Sequence, residues 1–329
     1  LPLGTYTLSY SKSGYISSTQ SGTLATDNQT LAVAKLTMLP SSCGSGNITG
    51  TIKNAVNGNT VGSVSLSARS GINVTTGTAL KSATTADNGT YSIGSLDAGL
   101  YTVLTSKDGY IPTSFNVRLC GGASGQNANI SKTLPDGSMR IITSWEGTDD
   151  FDSHLEIPCN SGVCAGSDKN DKSHLWYGTT QSASDTASYN GVTTRDYHIY
   201  TDIVSDGSDN VTLDNDNYHG TCSAAQATAS QCDTDDTGPE TVTISKLRFG
   251  TYRFHVYGYD QKDNTTSRHI ADNGTAVQVC FGSSNSCINL YPPSSVGNLW
   301  TVFDYSISDG LSLLNTMANE ATDGNQDDH

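Results

Sequence analysis

The stretch Leu96-Asp-Ala-Gly-Leu-Tyr-Thr-Val-Leu-Thr-Ser-Lys-Asp-Gly-Tyr-Ile111 occurs twice, because the chain opens with the variant Leu1-Pro-Leu-Gly-Thr-Tyr-Thr-Leu-Ser-Tyr-Ser-Lys-Ser-Gly-Tyr-Ile16. Leu96 corresponds to Leu1, so the two copies lie 95 positions apart, and the pairs Leu39-Pro40 and Leu134-Pro135 keep that offset. Self-similarity at a fixed offset indicates a repeated domain. Each copy places Gly before alternating side chains, which predicts a turn that leads into a strand with one buried face.

Composition favours the same kind of structure over the whole chain. Of 329 residues only 35% are hydrophobic and 15% charged, and Gly, Ser, Thr, Asn and Asp make up much of the rest. This mixture suits short strands joined by many turns, and the length is sufficient for two or three domains. We therefore predict an all-β fold: one partial and one complete Ig-like β-sandwich, followed by a larger C-terminal β-sandwich.

The charge excludes several classes of partner. A formal net charge of −15 argues against nucleic acid, which is held chiefly by Lys and Arg, and against anionic membrane surfaces. No apolar run approaches the ~18 residues of a membrane helix, so no membrane insertion is predicted.

The cysteine count predicts a disulfide framework. The eight residues are Cys43, Cys120, Cys159, Cys164, Cys222, Cys232, Cys280 and Cys287. Many connectivities are open in principle, and the economical one pairs 159 with 164, 222 with 232, 280 with 287, and Cys43 with Cys120. Zinc is the rival interpretation, but no Cys-x-x-Cys or His-x-x-x-His spacing supports it.

Eight Asn-x-Ser/Thr sequons add to this picture. They begin at Asn28, Asn47, Asn73, Asn88, Asn129, Asn210, Asn264 and Asn273. Several sequons are expected by chance in a chain so rich in Asn and Thr. Together with the cysteines they predict an extracellular or cell-surface glycoprotein.

The repeat offset sets the first domain boundaries. Residues 1–40 correspond to only the final part of the repeat, and residues 41–134 form a complete copy. A few strands alone bury too little apolar surface to be independently stable. We expect the first copy to be completed either by residues upstream of Leu1 or by strands from another molecule.

The complete copy resembles a known family. Its pattern runs Ile48-x-Gly-x-Ile52, Val64-x-Leu66, Asn88-Gly-x-Tyr91, Leu96-x-x-Gly-x-Tyr-x-Val103 and Lys107-x-Gly-Tyr110. This pattern is similar to the carboxypeptidase regulatory-like family of small Ig-type sandwiches, fully over 41–134 and partly over 1–40. The resemblance implies a non-catalytic module that usually stacks in series on secreted or surface proteins, with no active-site residues.

Residues 135–309 carry different motifs. They are Trp145, Asp150-Phe-Asp-Ser-His154, Leu213-Asp-Asn-Asp216, Gly238-Pro-Glu-Thr241 and Trp300-Thr-Val-Phe303. In that order they resemble a family of secreted bacterial β-domains. The chain departs from the family pattern at Phe151 and Ser153 and by an insertion that contains Cys222 and Cys232. Residues 310–329 are predicted to form an acidic tail with a short helical turn near 312–319.

Acidic side chains concentrate in this third domain. Carboxylates at alternating positions of a turn are common calcium ligands, and the resemblance puts Asp150, Asp152, Asp214 and Asp216 in the motif positions. Solvated carboxylates that cap strand ends are the alternative. A glycosidase pair would need two acids flanking a sugar-sized cleft, which no pattern here indicates. Calcium is thus the one cofactor predicted.

These observations predict a non-catalytic structural subunit of an extracellular surface assembly or filament, without an enzyme site. Copies of the chain would polymerise by strand complementation, since a heterologous contact need not close. The alternative is a calcium-dependent adhesin or glycan-binding module that uses the acidic loops.

Overall fold

The computed structural model describes residues 2–24, 37–145, 149–158, 172–175, 198–201, 210–215, 239–259 and 268–320. The chain divides into two compact units, Leu1–Thr133 and Leu134–His329. Both units consist of strands, which confirms the all-β prediction. Within the described ranges the helix α1, His269–Asp272, is a single turn, and no helix there is long and apolar enough to cross a membrane.

Unit 1 is a β-sandwich with a two-stranded hairpin in front of it. Its strands are β1 Gly4–Tyr10, β2 Ser18–Leu24, β3 Gly46–Asn54, β4 Ser65–Ser70, β5 Lys81–Thr84, β6 Thr90–Leu96, β7 Gly99–Ser106, β8 Thr113–Leu119 and β9 Ala128–Ile130. The sandwich sheets have the orders β6-β3-β9 and β5-β4-β7-β8, and β1 pairs with β2. Alternate side chains of both sandwich sheets, such as Ile48, Leu66 and Val103, form one core.

The sequence repeat is also a structural repeat. Strands β1 and β2 correspond to β7 and β8 at the 95-residue offset, and the pairing register is the same. Gly4 pairs with Leu24 in the first hairpin, as Gly99 pairs with Leu119 in the second. Register in a hairpin is fixed by its side-chain alternation and its turn, so both are shared by the two copies.

The turns that follow β1 and β7 match in the same way. The Tyr15 amide donates to the Lys12 carbonyl at 3.1 Å, and the Tyr110 amide donates to the Lys107 carbonyl at 3.0 Å. Gly14 and Gly109 adopt positive φ angles of 81° and 78° inside these turns. Glycine reaches such angles without a steric penalty, which explains the Lys-x-Gly-Tyr motif of each copy.

Two of the predicted disulfides are confirmed. Cys43 bonds to Cys120 and Cys280 bonds to Cys287, with Cα–Cα distances of 4.7 and 4.0 Å. The first disulfide spans nearly the whole complete copy, and the second joins two neighbouring strands of unit 2. The remaining four cysteines, 159, 164, 222 and 232, lie outside the described residues.

Unit 2 is a larger sandwich of two antiparallel sheets. Its strands are β10 Met139–Ser144, β11 Phe151–Pro158, β12 Lys172–Leu175, β13 His198–Thr201, β14 Asn210–Asn215, β15 Glu240–Ile244, β16 Tyr252–Gly258, β17 Ala276–Phe281, β18 Ser286–Leu290, β19 Leu299–Ser306 and β20 Gly310–Ala318. The sheet orders are β13-β14-β15-β10-β17-β18 and β12-β11-β16-β19-β20. The core between them is rich in aromatic side chains, including Phe151, Phe254, Trp300 and Phe303.

The prediction of an acidic tail at 310–329 is wrong for residues 310–318. Residues 310–318 form β20, which pairs antiparallel with β19, and there is no helical turn at 312–318. Leu311, Leu313 and Met317 pack against the core of unit 2. Because these apolar residues alternate over most of β20, the segment behaves as a half-buried strand although acidic residues follow it.

Glu240, the acidic residue of the Gly-Pro-Glu motif, accepts a hydrogen bond inside unit 2. Glu240 is buried in the core, where its Oε2 accepts a hydrogen bond of 2.5 Å from the backbone amide of Ser153 in the opposite sheet. Within the described residues β12 pairs with β11 from Leu155 onward. The Ser153 amide lies before the start of that pairing, and Glu240 is its hydrogen-bond acceptor. The Ser153 hydroxyl lies 2.8 Å from Thr143 Oγ1, which provides the polar residue at position 153 with a partner.

Removing each disulfide tests the chain-entropy argument within one molecule. Replacing Cys43 and Cys120 by Ser releases a loop of 77 positions and should lower the free energy of unfolding of unit 1 by about 4 kcal/mol. The same change at Cys280 and Cys287, separated by 7 positions, should cost unit 2 about 2 kcal/mol. Guanidinium unfolding is followed by circular dichroism, which reports both units, and by tryptophan fluorescence, which reports unit 2 because all three tryptophans lie there. A smaller cost for the long loop than for the short one contradicts the argument.

Replacing Glu240 tests its buried hydrogen bond. Glu240→Ala leaves the Ser153 amide without its acceptor and should destabilise unit 2 by about 2 kcal/mol. Glu240→Gln keeps an amide oxygen at the same position and should change stability by less than about 1 kcal/mol. Chemical denaturation of both variants measures the difference, and equal losses would show that the hydrogen bond is not what Glu240 contributes.

Candidate functional site

The feature of unit 1 that differs most from a closed sandwich is the apolar face of β1. Tyr6, Leu8 and Tyr10 alternate along this strand, as their equivalents do along β7. In the complete copy Tyr101 is 5% exposed and Val103 is fully buried. Leu8, the equivalent of Val103, is 51% exposed. The equivalent side chains therefore lie in the core of the complete copy and on an exposed surface of the first copy.

Val103 belongs to a core that includes Ile48 and Ile93 of the facing sheet as well as Ala68 of β4, whereas residues 2–24 contain the counterparts of β7 and β8 alone. β7 lies between β4 and β8 in its sheet. β1 pairs with β2, the equivalent of β8, and no strand in the described part of the chain takes the place of β4. The outer edge of β1 thus presents backbone donors and acceptors beside an exposed apolar face, which is the usual template for strand addition. We call this surface, formed by β1 with Tyr6 and Leu8, the acceptor edge.

The other edge of the hairpin is fixed to the sandwich. The Ser21 amide donates to the Ile72 carbonyl at 2.9 Å, and the Ile72 amide donates to the Thr19 carbonyl at 2.8 Å. Leu39, Ile72 and Leu100 form a small buried cluster beneath this contact. β2 is anchored by these contacts, and the acceptor edge remains on the far side of β1.

The backbone of β1 is also held in the conformation that β7 has. The Tyr6 hydroxyl donates to the Pro2 carbonyl at 2.6 Å, and the equivalent Tyr101 hydroxyl donates to the Asp97 carbonyl at 2.7 Å. Because the hairpin register, the turn and this tyrosine contact are all shared, β1 is already shaped to receive a strand. Such pre-organisation reduces the entropy cost of binding.

The four predicted calcium ligands do not lie in one sheet. Asp150 and Asp152 are buried at the start of β11, and Asp214 is buried on β14 in the other sheet. Asp216 lies outside the described residues. Among the described residues no three His, Cys, Asp or Glu side chains are grouped as metal ligands would be. Calcium binding stays a prediction.

Asp214 belongs to a buried polar chain across three strands. Arg140 Nε donates to Thr243 Oγ1 at 2.8 Å, and the Thr243 hydroxyl donates to the Asp214 carboxylate. Burial raises the pKa of Asp214 to about 6, although the Thr243 hydrogen bond and the charge of Arg140 both lower it. Burial also lowers the pKa of Arg140, which the nearby Asp214 charge partly offsets.

Sequence reasoning missed a polar row on the other sheet of unit 2. His255 Nε2 lies 3.3 Å from Glu156 Oε1, and its Nδ1 lies 3.1 Å from Thr301 Oγ1. Next to it Arg253 donates to both carboxylate oxygens of Asp304, at 2.7 and 2.9 Å. These contacts join β11, β16 and β19. Alternation of polar and apolar residues along β16 was the available signal, but it does not identify the cross-strand partners.

The sequons differ in accessibility. Asn47 and Asn88 are exposed, whereas Asn73, Asn129 and Asn273 are partly buried. The Asn273 side-chain amide donates to the Asp149 carboxylate. The side chains of Asn28, Asn210 and Asn264 are not among the described ones. Glycosylation stays a prediction at all eight positions.

The raised pKa of Asp214 predicts a specific pH dependence. A carboxyl whose pKa is about 6 when folded and 3.8 ordinarily binds its proton more tightly in the native state. Stability should therefore increase as the pH falls through 6, by roughly 3 kcal/mol in total. Asp214→Asn removes this contribution. As the pH is lowered from about 7.5 to about 4.5, the unfolding free energy of wild type should rise relative to that of the variant. A difference that does not change with pH contradicts the raised pKa of Asp214.

Comparison with known proteins identifies one part of the chain. Residues 47–135 match the carboxypeptidase regulatory-like domain. No curated protein matches the chain.

Matches among solved structures are weak. A type II cohesin–X-dockerin complex of Acetivibrio cellulolyticus is 23% identical over 27% of this chain and 58% of its own, with a TM-score of 0.21. The major pilins SpaD of Corynebacterium diphtheriae and BcpA of Bacillus cereus are 12% and 10% identical, with TM-scores of 0.22 and 0.24. The SpaD match covers 78% of this chain and 66% of the pilin, and the BcpA match covers 86% and 97%. This chain thus spans less than two thirds of the cohesin–dockerin chain. What the comparisons establish is that the chain contains a carboxypeptidase regulatory-like domain of Ig-like fold at residues 47–135.

Proposed function

We propose that this chain is a non-catalytic structural subunit of an extracellular assembly, and that its acceptor edge joins it to a neighbouring molecule. The observation that carries the proposal is the exposure of Leu8 at a position where the complete copy buries Val103. An exposed apolar strand edge favours association, and folded proteins usually cover or charge such edges.

The chemistry of the described residues supports an extracellular setting. Two disulfides are formed, and disulfides persist chiefly in oxidising compartments. The carboxypeptidase regulatory-like domain at 47–135 supports a non-catalytic role for that part of the chain. In unit 2 the pairs Arg253–Asp304 and His255–Glu156 bridge strands, which favours a role in holding the sheet together.

The neighbour in the assembly is proposed to be a second copy of the chain. Contact between the acceptor edge of one copy and a different surface of the next is heterologous. A heterologous contact that does not close by rotation produces an open, head-to-tail polymer. The result would be a filament or surface array built from β-domains.

Assembly of the chain tests this function. Wild type should form concentration-dependent oligomers in sedimentation velocity and elongated particles in negative-stain electron micrographs. Leu8→Asp places a charge on the acceptor edge and should abolish both, without unfolding the protein because Leu8 is 51% exposed.

The matched control is Leu80→Asp, which makes the same change at a leucine that is 54% exposed elsewhere in unit 1. This variant should assemble like wild type. A wild type that remains monomeric at every concentration reached, or assembly that Leu8→Asp leaves intact, would remove the basis of the proposal.

A further inference from the structure

We propose that Asn88 is an N-glycosylation site of the folded chain, and that the local structure separates it from the other sequons that the structure describes. A sequon consists of an Asn carboxamide and a Ser or Thr hydroxyl two positions later, so an enzyme that modifies the folded chain has to reach both groups from solvent. The proposal concerns a modification of unit 1 and is independent of whether the chain assembles.

The two groups of the Asn88 sequon lie together on the surface. Asn88 is in the turn that joins β5 to β6, Thr90 is the first residue of β6, and both residues are exposed. Asn88 Oδ1 accepts a hydrogen bond of 2.7 Å from the Thr90 hydroxyl and one of 3.2 Å from the Thr90 backbone amide. Within the described part of the chain Asn88 Nδ2, the atom that would receive a glycan, makes no hydrogen bond. The reactive nitrogen is thus accessible beside the hydroxyl of its own sequon.

Gly89, the residue between them, holds this turn against the sandwich. It is buried at a φ of 76°, and a Cβ there would lie 2.8 Å from both the Ile52 carbonyl oxygen and Thr60 Cβ. Its carbonyl accepts a hydrogen bond of 3.0 Å from the Ile52 amide. Only glycine fits this position without strain, so the turn is packed on its inner side while Asn88 and Thr90 stay on its outer side.

Asn73 has the opposite arrangement. Its Oδ1 accepts a hydrogen bond of 2.9 Å from Asn116 Nδ2, and its backbone amide donates to Asn116 Oδ1 at 3.0 Å. Asn73 is partly buried and has a φ of 58°, a conformation that Asn adopts more readily than most residues. The paired hydrogen bonds tie the Asn73 carboxamide to β8, which closes it to an enzyme.

In two further sequons the hydroxyl is buried. Ser131, which belongs to the Asn129 sequon, is 1% exposed, and Thr275, which belongs to the Asn273 sequon, is 2% exposed. Asn273 also donates its side-chain amide to the Asp149 carboxylate. Reaching either hydroxyl requires local unfolding of the segment that contains it.

Asn47 is the nearest rival, because its side chain is exposed. It lies inside β3, however, and its Oδ1 accepts a hydrogen bond of 3.1 Å from the Ser95 amide. Thr49 is partly buried, and its backbone amide donates to the Ala123 carbonyl at 2.8 Å. A strand bonded in this way has to open before an enzyme can enclose the sequon, whereas the turn at Asn88 is already on the surface.

The modification would transfer a glycan that is carried on a lipid phosphate or diphosphate. Asn88 Nδ2 forms a bond to the anomeric carbon of the glycan, and the bond between that carbon and the phosphate oxygen of the donor breaks. The electron pair of the broken bond stays with the lipid phosphate, and one Nδ2 proton passes to a base of the transferase. No oxidation or reduction is involved.

Glycan transfer to the folded protein tests the proposal. The full chain, purified without glycan and with its disulfides formed, is incubated with an oligosaccharyltransferase that needs only Asn-x-Ser/Thr and with a lipid-linked oligosaccharide. Reduction and trypsin then place each of these sequons on a separate peptide, namely 36–53, 70–81, 82–107, 119–132 and 269–329. Mass spectrometry should find glycan on 82–107 and roughly tenfold less on each of the others, because those sequons become accessible only by local opening of the fold.

Two controls separate the effect of the fold from that of the sequence. Synthetic peptides of residues 70–81 and 82–93 carry the Asn73 and Asn88 sequons outside the fold and should accept glycan to a similar extent. In the full chain Thr90→Ser keeps the hydroxyl and should keep glycan on peptide 82–107, whereas Thr90→Ala should lose it. The matched change Thr75→Ala, in the Asn73 sequon, should leave Asn88 modified as in wild type.

Absence of glycan at Asn88 in the folded chain, while peptide 82–93 is modified, overturns the proposal. Equal modification of Asn73 and Asn88 in the folded chain also overturns it, because the fold then does not select between them. Circular dichroism of each variant verifies that the chain is folded. These results are separate from the Leu8→Asp test, so modification and assembly can fail independently.

Discussion

A β-strand forms all of its inter-strand hydrogen bonds only when a partner strand lies along each of its edges. Within the described residues β1 has a partner strand on one edge alone. Much of unit 1 can be understood from this constraint. The hairpin register, the Lys-x-Gly-Tyr turn and the Tyr6 hydroxyl bond preserve the shape of a strand that belongs inside a sheet. The contact between β2 and Ile72 then fixes the hairpin so that the open edge stays accessible.

Unit 2 meets a related constraint in a different way, because polar groups in its interior are satisfied across sheets and strands. Glu240 reaches from one sheet to the amide of Ser153 in the other, and Arg140 is linked to Asp214 through Thr243. In a medium of low polarity each of these contacts is stronger than in water, and each unmet group would be costly. Glu240 and Asp214, which look like surface acids in the sequence, are therefore buried hydrogen-bond acceptors in this unit.

The sequence predicted the features that depend on short-range patterns. The repeated motif was sufficient to predict strand β1 but not β2, and neighbouring positions along the chain were sufficient to pair Cys280 with Cys287. Strand β20 was missed because Asp309 and the acidic residues after 318 suggested a solvated tail. Alternating apolar residues between them carried the better signal.

Partners that come from distant parts of the chain could not be predicted. Asp214 contacts Arg140 because β14 and β10 both flank β15, and no local pattern records that strand order. The candidate site has one feature that the sequence pattern predicts and others that depend on contacts between distant strands. The repeat identified an incomplete first copy, but only the structure shows that Leu8 is exposed and that no described strand pairs with the outer edge of β1.

The bond between Cys43 and Cys120 has a mechanical consequence. It joins Cys43, shortly before β3, to Cys120, which follows β8, so tension applied to the two ends of the chain crosses this covalent link. The 77 positions between the two sulfur atoms then carry no load, and roughly 260 Å of extensible polypeptide is withheld from stretching. Under pulling, the module at the centre of unit 1 behaves as an inextensible link.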